Sequence, residues 1–431
     1  MLNAKMRRVC WTILSLLIAG AMAQINLRTI YSWKTLEFLF PNEFVKEVAI
    51  RSGSYVAGVG VPIDVDVYNG VYRRFGLESV RYDSKISKRR TGHFGQCYRP
   101  GVSGRKSRNC TISELGVQRR RKLRYVHQRF QNTDQCDRLW VIDTGVLEET
   151  RICPPRLHVF SLKKNTLLAR YTFPPDQFKA DSLFVTVAVD VRNADHECKD
   201  TFAYIADVSG FALIVYDYRN SRSWKIGNNL FYPYPPYGTF HIKDDTFDLM
   251  DGIIGLALGP LRNNDRILYF HSLASRVESW VPTSVIRNYT LFAENSEAAP
   301  RSFVAFDQER SSQSAAEAMD DNGVLFFGLM SELAIGCWNS RHYPNFGGSN
   351  NEKLIVDSET LQFPSGLKII SSKKGKEELW VLSASFQKFM SGSLNKNEIN
   401  FRIQAGFVNE LVHGTKCDVT AMEGKAFRFS K

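Results

Sequence analysis

The chain has 431 residues, 44% hydrophobic and 23% charged. That balance excludes wholesale disorder, collagen and coiled coil. Its formal net charge is +12, and residues 83–124 carry most of it.

The first 23 residues form a secretory leader. Lys5, Arg7 and Arg8 give a basic start, Val9 to Ala19 is an apolar run, and Ala21-Met22-Ala23 places small residues where a signal peptidase reads, with cleavage before Gln24. The apolar run is shorter than the ~20 residues that span a bilayer, which disfavours a signal anchor. No second long apolar stretch follows. The expectation is a secreted, extracellular protein with no membrane partner. Residues 24–431 then form a single domain.

Of 8 cysteines, Cys10 leaves with the leader, and Cys97, Cys110, Cys136, Cys153, Cys198, Cys337 and Cys417 remain. In an oxidising lumen most should pair, and an odd number leaves one over. Two sequons, Asn109-Cys110-Thr111 and Asn288-Tyr289-Thr290, are glycosylation candidates. Asn288 is the stronger, because its acceptor is not beside a cysteine.

Residues 83–124 hold thirteen Lys or Arg against Asp83 and Glu114, a local charge of +11. The segment is rich in Gly and Ser and lacks apolar periodicity, so it reads as a disordered insert. A polyanion patch is the functional reading and a solvated, protease-sensitive insert the plainer one. Nucleic acid is not expected, since aromatics are not interleaved with the charge.

Beyond it, short β-branched and aromatic runs alternate with turn residues. Leu139-Trp140-Val141-Ile142-Asp143, Ala203-Tyr204-Ile205-Ala206-Asp207, Leu268-Tyr269-Phe270-His271-Ser272, Leu325-Phe326-Phe327-Gly328-Leu329 and Leu379-Trp380-Val381-Leu382-Ser383 recur. Aligned on their aromatics they are spaced 64, 65, 57 and 54 residues apart. An apolar strand with small residues precedes the clearest of them (Val185 to Val189, Gly252 to Leu258). A third strand follows several (Arg156 to Leu162, Ala212 to Tyr218), and Trp224 to Gly227 gives a weaker fourth. Such a period implies radial repetition, with small residues on innermost strands crowding an axis. Val61 to Val67 then starts a sixth blade. The predicted fold is all-β, a six-bladed β-propeller of four-stranded antiparallel blades. A pair of β-sandwiches would not explain so long a period.

At these motifs the chain resembles the yellow / major royal jelly protein family of insects. The resemblance rests on Cys136 to Gly145, Ile152-Cys153-Pro154-Pro155, Ala203 to Asp207, Gly210 to Asp217, Asp251-Gly252-Ile253, Leu268 to His271 and Ser312-Gln313-Ser314. It continues through Gly323 to Phe327, Gly336-Cys337-Trp338-Asn339, Asn400 to Ile403, Val408 to Leu411 and the N-terminal Trp33 to Phe38. It covers about 34–70 and 134–417. Residues 71–124 depart from it, since the basic insert replaces the family's strand and loop.

The resemblance implies a secreted propeller acting in cuticle pigmentation and melanin chemistry, binding a biogenic amine, or serving as an abundant nutritive protein. On the first reading the channel binds an aromatic amine or catechol-derived ligand. The second is a dopachrome-converting tautomerase or isomerase. The third is a structural or nutritive protein with no small ligand.

Standard catalytic motifs are missing. Asp195-His196-Glu197-Cys198 lacks a second zinc-binding His, and there is no Gly-x-Ser-x-Gly elbow or phosphate loop. No metal and no cofactor are expected. Propellers bind ligands where loops converge at a channel mouth, and Asp143 and Asp207 end equivalent strands. Either a ligand ammonium or a turn N–H is a suitable partner for them. The resemblance adds Phe327 as an aromatic wall and Asn339 as an amide donor, so Asp207, Phe327 and Asn339 form the expected binding set. Asp143, Asp207 and His271 are the expected bases if the protein is an enzyme, with Asp251 a further candidate. His271 also suits a satisfied, partly buried role, and Trp338 suits the core. The propeller topology implies disulfides Cys136–Cys198, Cys110–Cys153 and Cys337–Cys417, leaving Cys97 over.

Overall fold

A computed structural model describes residues 27–36, 40, 42–51, 60–67, 129–147, 150–195, 197–371 and 375–419. The leader, the basic insert, Asn109, Cys97 and Cys110 lie outside the described residues.

Five four-stranded antiparallel sheets form a propeller. Blade 1 comprises Arg129–Thr133, Arg138–Asp143, Arg156–Ser161 and Thr166–Thr172. Blade 2 comprises Phe184–Asn193, Asp200–Asp207, Ala212–Asp217 and Arg222–Gly227. Blade 3 takes Ile253–Leu258, Ile267–Ser272, Val277–Pro282 and Val304–Glu309, and blade 4 takes Glu317–Met319, Val324–Leu329, Ala334–Asn339 and Asn351–Val356. Blade 5 is closed by the N-terminus: Pro364–Ser371, Glu377–Ala384 and Phe401–Phe407 receive Arg28–Trp33 as their outer strand.

The recurring aromatics Trp140, Tyr204, Tyr269, Phe326 and Trp380 each lie on the second strand of their blade. Stacking covers both faces of these inner sheets, which is why the motifs are apolar runs rather than alternating patterns. Arg138–Asp143, Val324–Leu329 and Ala334–Asn339 are buried at every position.

The expected sixth four-stranded blade is not formed among the described residues. Residues 60–67 are irregular and pair with no strand. They occupy the interval between blades 5 and 1. Asp64 lies against Gly366 of blade 5 and pairs with Lys368 at 3.2 Å. Asp66 accepts the Thr133 backbone N–H of blade 1. A single irregular segment thus bridges the last blade and the first.

Disulfides join Cys136 to Cys198 and Cys337 to Cys417. The first links equivalent hairpins of blades 1 and 2, where Arg138 also donates to the Cys198 carbonyl at 2.9 Å. The second ties the C-terminal segment to the third strand of blade 4. Cys153 is disulfide-bonded too, and its expected partner Cys110 lies outside the described residues.

Candidate functional site

The innermost strands surround a central cavity with about 920 Å³ of atom-free space, part of it open to solvent. Its apolar wall includes Leu183, Val185, Ile254, Leu256 and Leu367. The blade 2–3 connection carries a hairpin, Thr239–Ile242 with Asp245–Asp248, over one end. Phe247 of that hairpin meets Phe386, the first residue of the helix Phe386–Ser391, at 6.0 Å between ring centroids. Phe363 meets Phe386 at 4.5 Å, and both line the cavity. Phe363 and Phe386 therefore form an aromatic part of the cavity wall, with Phe247 behind it.

Four charged residues reach the cavity wall: Asp64, Asp251, Glu317 and Lys368. Glu317 leads into a buried network between blades 3 and 4. His271 Nδ1 lies 3.1 Å from Glu278 Oε2 and 3.2 Å from Glu317 Oε2. Arg310 Nη1 donates to the same Glu278 oxygen. His271 is 1% exposed, Glu278 0%, Arg310 2% and Glu317 5%. The imidazole has room because the innermost strand offers Gly255 at a register shift; a Cβ there would stand 2.2 Å from the ring.

Burial lowers the His271 pKa, and Arg310 adds to that, but Glu317 and Glu278 together outweigh both and raise it. Burial raises Glu278, yet the His271 and Arg310 charges bring it below the ordinary carboxylate range. Glu317 is raised by burial and then by the Glu278 charge, with His271 offsetting part. The donor atoms of His271, Glu278 and Glu317 lie within 4.8 Å of one another, a spacing that suits a cation, and Arg310 already supplies one. The result is two cations against two carboxylates, all with buried side chains.

The residues expected from sequence are dispersed. Asp143 and Asp207 end the second strands of blades 1 and 2 at the same end of the barrel, as their repeat positions require. Asp207 accepts the backbone N–H groups of Leu183 and Gly210, each at 2.9 Å, and the Ser182 hydroxyl. Asp143 accepts the Gly145 N–H at 3.2 Å. Both thus hold turns. Phe327 is buried against Phe346 at 5.4 Å and stands one strand outside Glu317, its register partner. Asn339 donates to the Cys417 carbonyl at 3.4 Å and accepts from the Arg341 N–H at 3.0 Å. None of these four lines the cavity, whereas Asp251 does. Trp338 packs in the core and donates to the Asn345 carbonyl. Asn288 is exposed and accepts the Thr290 hydroxyl at 2.8 Å.

Glu278, Arg310 and Glu317 did not stand out in the sequence. The available signal was a charge inside an otherwise apolar strand, as in Val277-Glu278-Ser279-Trp280-Val281 and Ala315-Ala316-Glu317-Ala318.

Comparison with known proteins fixes the lineage. The family model described as major royal jelly protein matches residues 131–417. The chain belongs to that family. It is 31% identical to major royal jelly protein 9 of Apis mellifera over 90% of this chain and 89% of that one. It is 28% identical to the dopaminechrome tautomerase of Drosophila melanogaster over 92% and 85% of the two chains. Against the protein yellow of Drosophila yakuba the identity is 31%, over 95% of this chain and 74% of the relative. No helix among the described residues is long and apolar enough to cross a membrane.

Proposed function

We propose that this is a secreted protein of pigment chemistry whose central channel binds an aromatic amine or a catechol-derived ring. The observation that carries it is the cavity itself: an apolar slot lined in part by Phe363 and Phe386, with the acidic residue Asp251 on its wall. Such a slot stacks a planar ring, and an acidic wall neutralises an ammonium. Relatives named protein yellow and dopaminechrome tautomerase support the pigment setting. The leader and the disulfides support secretion. This reading moves the binding set from Asp207, Phe327 and Asn339 to the cavity wall.

The test is calorimetric titration of the mature protein with dopamine, serotonin and octopamine. Saturable binding that Phe386→Ala weakens by about tenfold supports the reading, the loss of one aromatic contact being worth roughly 1 kcal/mol. Absence of binding to all three leaves the structural or nutritive role.

A second reading, tautomerisation of a dopachrome-like ring, is favoured by Asp251 in the cavity lining. A carboxylate on an apolar channel wall is suited to general-base work. Loss of dopachrome colour above the spontaneous rate would support it.

A further inference from the structure

Between blades 5 and 1 the channel wall is not a sheet. Pro62, Ile63 and Asp64 of the irregular segment 60–67 line the cavity there. The two halves of this segment are held differently. Val61 is buried in an apolar cluster with Phe363, Phe386 and Phe401. The second half is held through two carboxylates. Asp64 meets Lys368 of blade 5 at 3.2 Å, with each side chain 16% exposed, and Asp66 accepts the Thr133 N–H of blade 1. The Val65 and Val67 N–H groups donate to Asp64 and Asp66 rather than to a neighbouring strand, so no ladder locks them. The Asp64 backbone is seated directly on Gly366, where a Cβ would stand 2.9 Å from the Asp64 Cα.

This arrangement sets two acids against one cation. Burial raises both carboxyls, and Lys368 offsets only part of the cost. The Asp64 charge adds to the burden on Asp66, which is pushed up to about 6. Lys368 and Asp64 are the charged groups that act on Asp66, and blade 1 presents it a backbone N–H.

We propose that residues 64–67 form a proton-controlled side gate of the channel, seated while Asp64 and Asp66 share Lys368 and one proton, and released once both carboxylates are ionised. The sign follows from the seated state holding its proton more tightly than a hydrated carboxyl does. Acid therefore favours the seated gate, and rising pH withdraws that support. An ionised Asp66 is better solvated in water than beside Asp64 with a single lysine between them. Val61 stays in its apolar cluster and serves as the hinge, so the opening is local. It lies where the ring has a strap instead of a blade, and it exposes the cavity wall at Ile63 and Asp64.

The experiment follows backbone amide exchange by mass spectrometry on the mature protein, in peptides covering 60–67. Wild type is compared with Asp66→Asn at each pH, so the intrinsic pH dependence of exchange cancels. Asn does not ionise, and its gate stays seated. We expect the wild-type rate divided by the D66N rate to rise about 30-fold between about pH 4.5 and 7.5. Gly366→Ala is the control that unseats the segment by contact alone, and should speed its exchange even in acid. Alkylation of Ile63→Cys by iodoacetamide, read on the same peptide and divided by the rate for free cysteine, reports the wall itself. It should rise with pH in step with exchange, and not when D66N is added. Equal pH dependence in wild type and D66N overturns the proposal, as does a Gly366→Ala protein that leaves the segment protected. Loosening shared equally by Arg129–Thr133 and Pro364–Ser371 overturns it too, since the ring and not a gate would then be opening.

Discussion

Two carboxylate pairs stand at different points of the ring, and they are balanced differently. Between blades 3 and 4, Glu278 and Glu317 meet two cations, His271 and Arg310. Between blades 5 and 1, Asp64 and Asp66 share one cation, Lys368, which pairs with Asp64 at 3.2 Å. Backbone donors make up part of the shortfall: Val65 N–H to Asp64 at 2.9 Å, and Val67 N–H to Asp66 at 2.7 Å. The first pair is set into a complete blade interface. The second sits on an irregular segment in place of a sheet. Burial raises a carboxyl in both regions, but local charge decides how far ionisation is recovered. Where cations match acids, one carboxylate falls below its ordinary range. The other, Glu317, is still raised to about 7; where cations do not match acids, both are raised, Asp66 to about 6.

The largest effect expected comes from unbalancing the matched pair. Arg310→Met leaves Glu278 buried with half its compensation, and a broken buried pair costs about 3–5 kcal/mol. Urea unfolding of R310M should show that loss, and R310M with Glu278→Gln should recover much of it, since the uncompensated charge leaves with the carboxylate. A loss under about 1 kcal/mol would mean that the quartet behaves like an exposed pair, and the contrast between the two regions would collapse.

The unmatched pair should respond in the opposite sense. Asp66 has a folded-state pKa near 6 against 3.8 when unperturbed, and is 7% exposed. The folded state therefore binds its proton more tightly than the unfolded chain. Its stability contribution is full below the unfolded value and is lost as pH rises from about 4 to 6. Asp66→Asn keeps an oxygen for the backbone donors and removes the titration. Relative to wild type, D66N should gain up to about 3 kcal/mol between those pH values and hold the gain above them. Denaturant midpoints of both proteins at acid and neutral pH check this. A pH-independent difference would show that Asp66 has the same pKa folded and unfolded.

The two regions also differ in how far the sequence announces them. The apolar runs around Trp140, Tyr204, Tyr269, Phe326 and Trp380 are local, and their period placed five second strands. Asp143 and Asp207 were legible for the same reason, since equivalent repeat positions fall at the same end of the barrel. The quartet is not local. Glu278 is 7 residues from His271, and Arg310 a further 32 from Glu278, so only the stacking of two blades assembles it. Phe327 illustrates the limit: it came within one strand of the channel wall, but it sits on the second strand and packs against Phe346 instead of lining the cavity. Likewise Val61 to Val67 read as a strand from its alternation, but pattern alone does not supply a hydrogen-bonding neighbour.

Gly255 gives the smallest and most local test of the matched region. Its missing Cβ is the space the His271 ring fills, and an alanine methyl would meet the ring 2.2 Å away. The ring cannot yield freely, because Glu278 and Glu317 hold its Nδ1 from two sides. Gly255→Ala should therefore cost about 1–3 kcal/mol through overpacking. The cost should shrink in a His271→Ala background, where the clash disappears. Such non-additivity is expected only of residues in contact. If the two substitutions simply add, His271 is not pinned against the channel wall, and its hold on Glu317 fails with it.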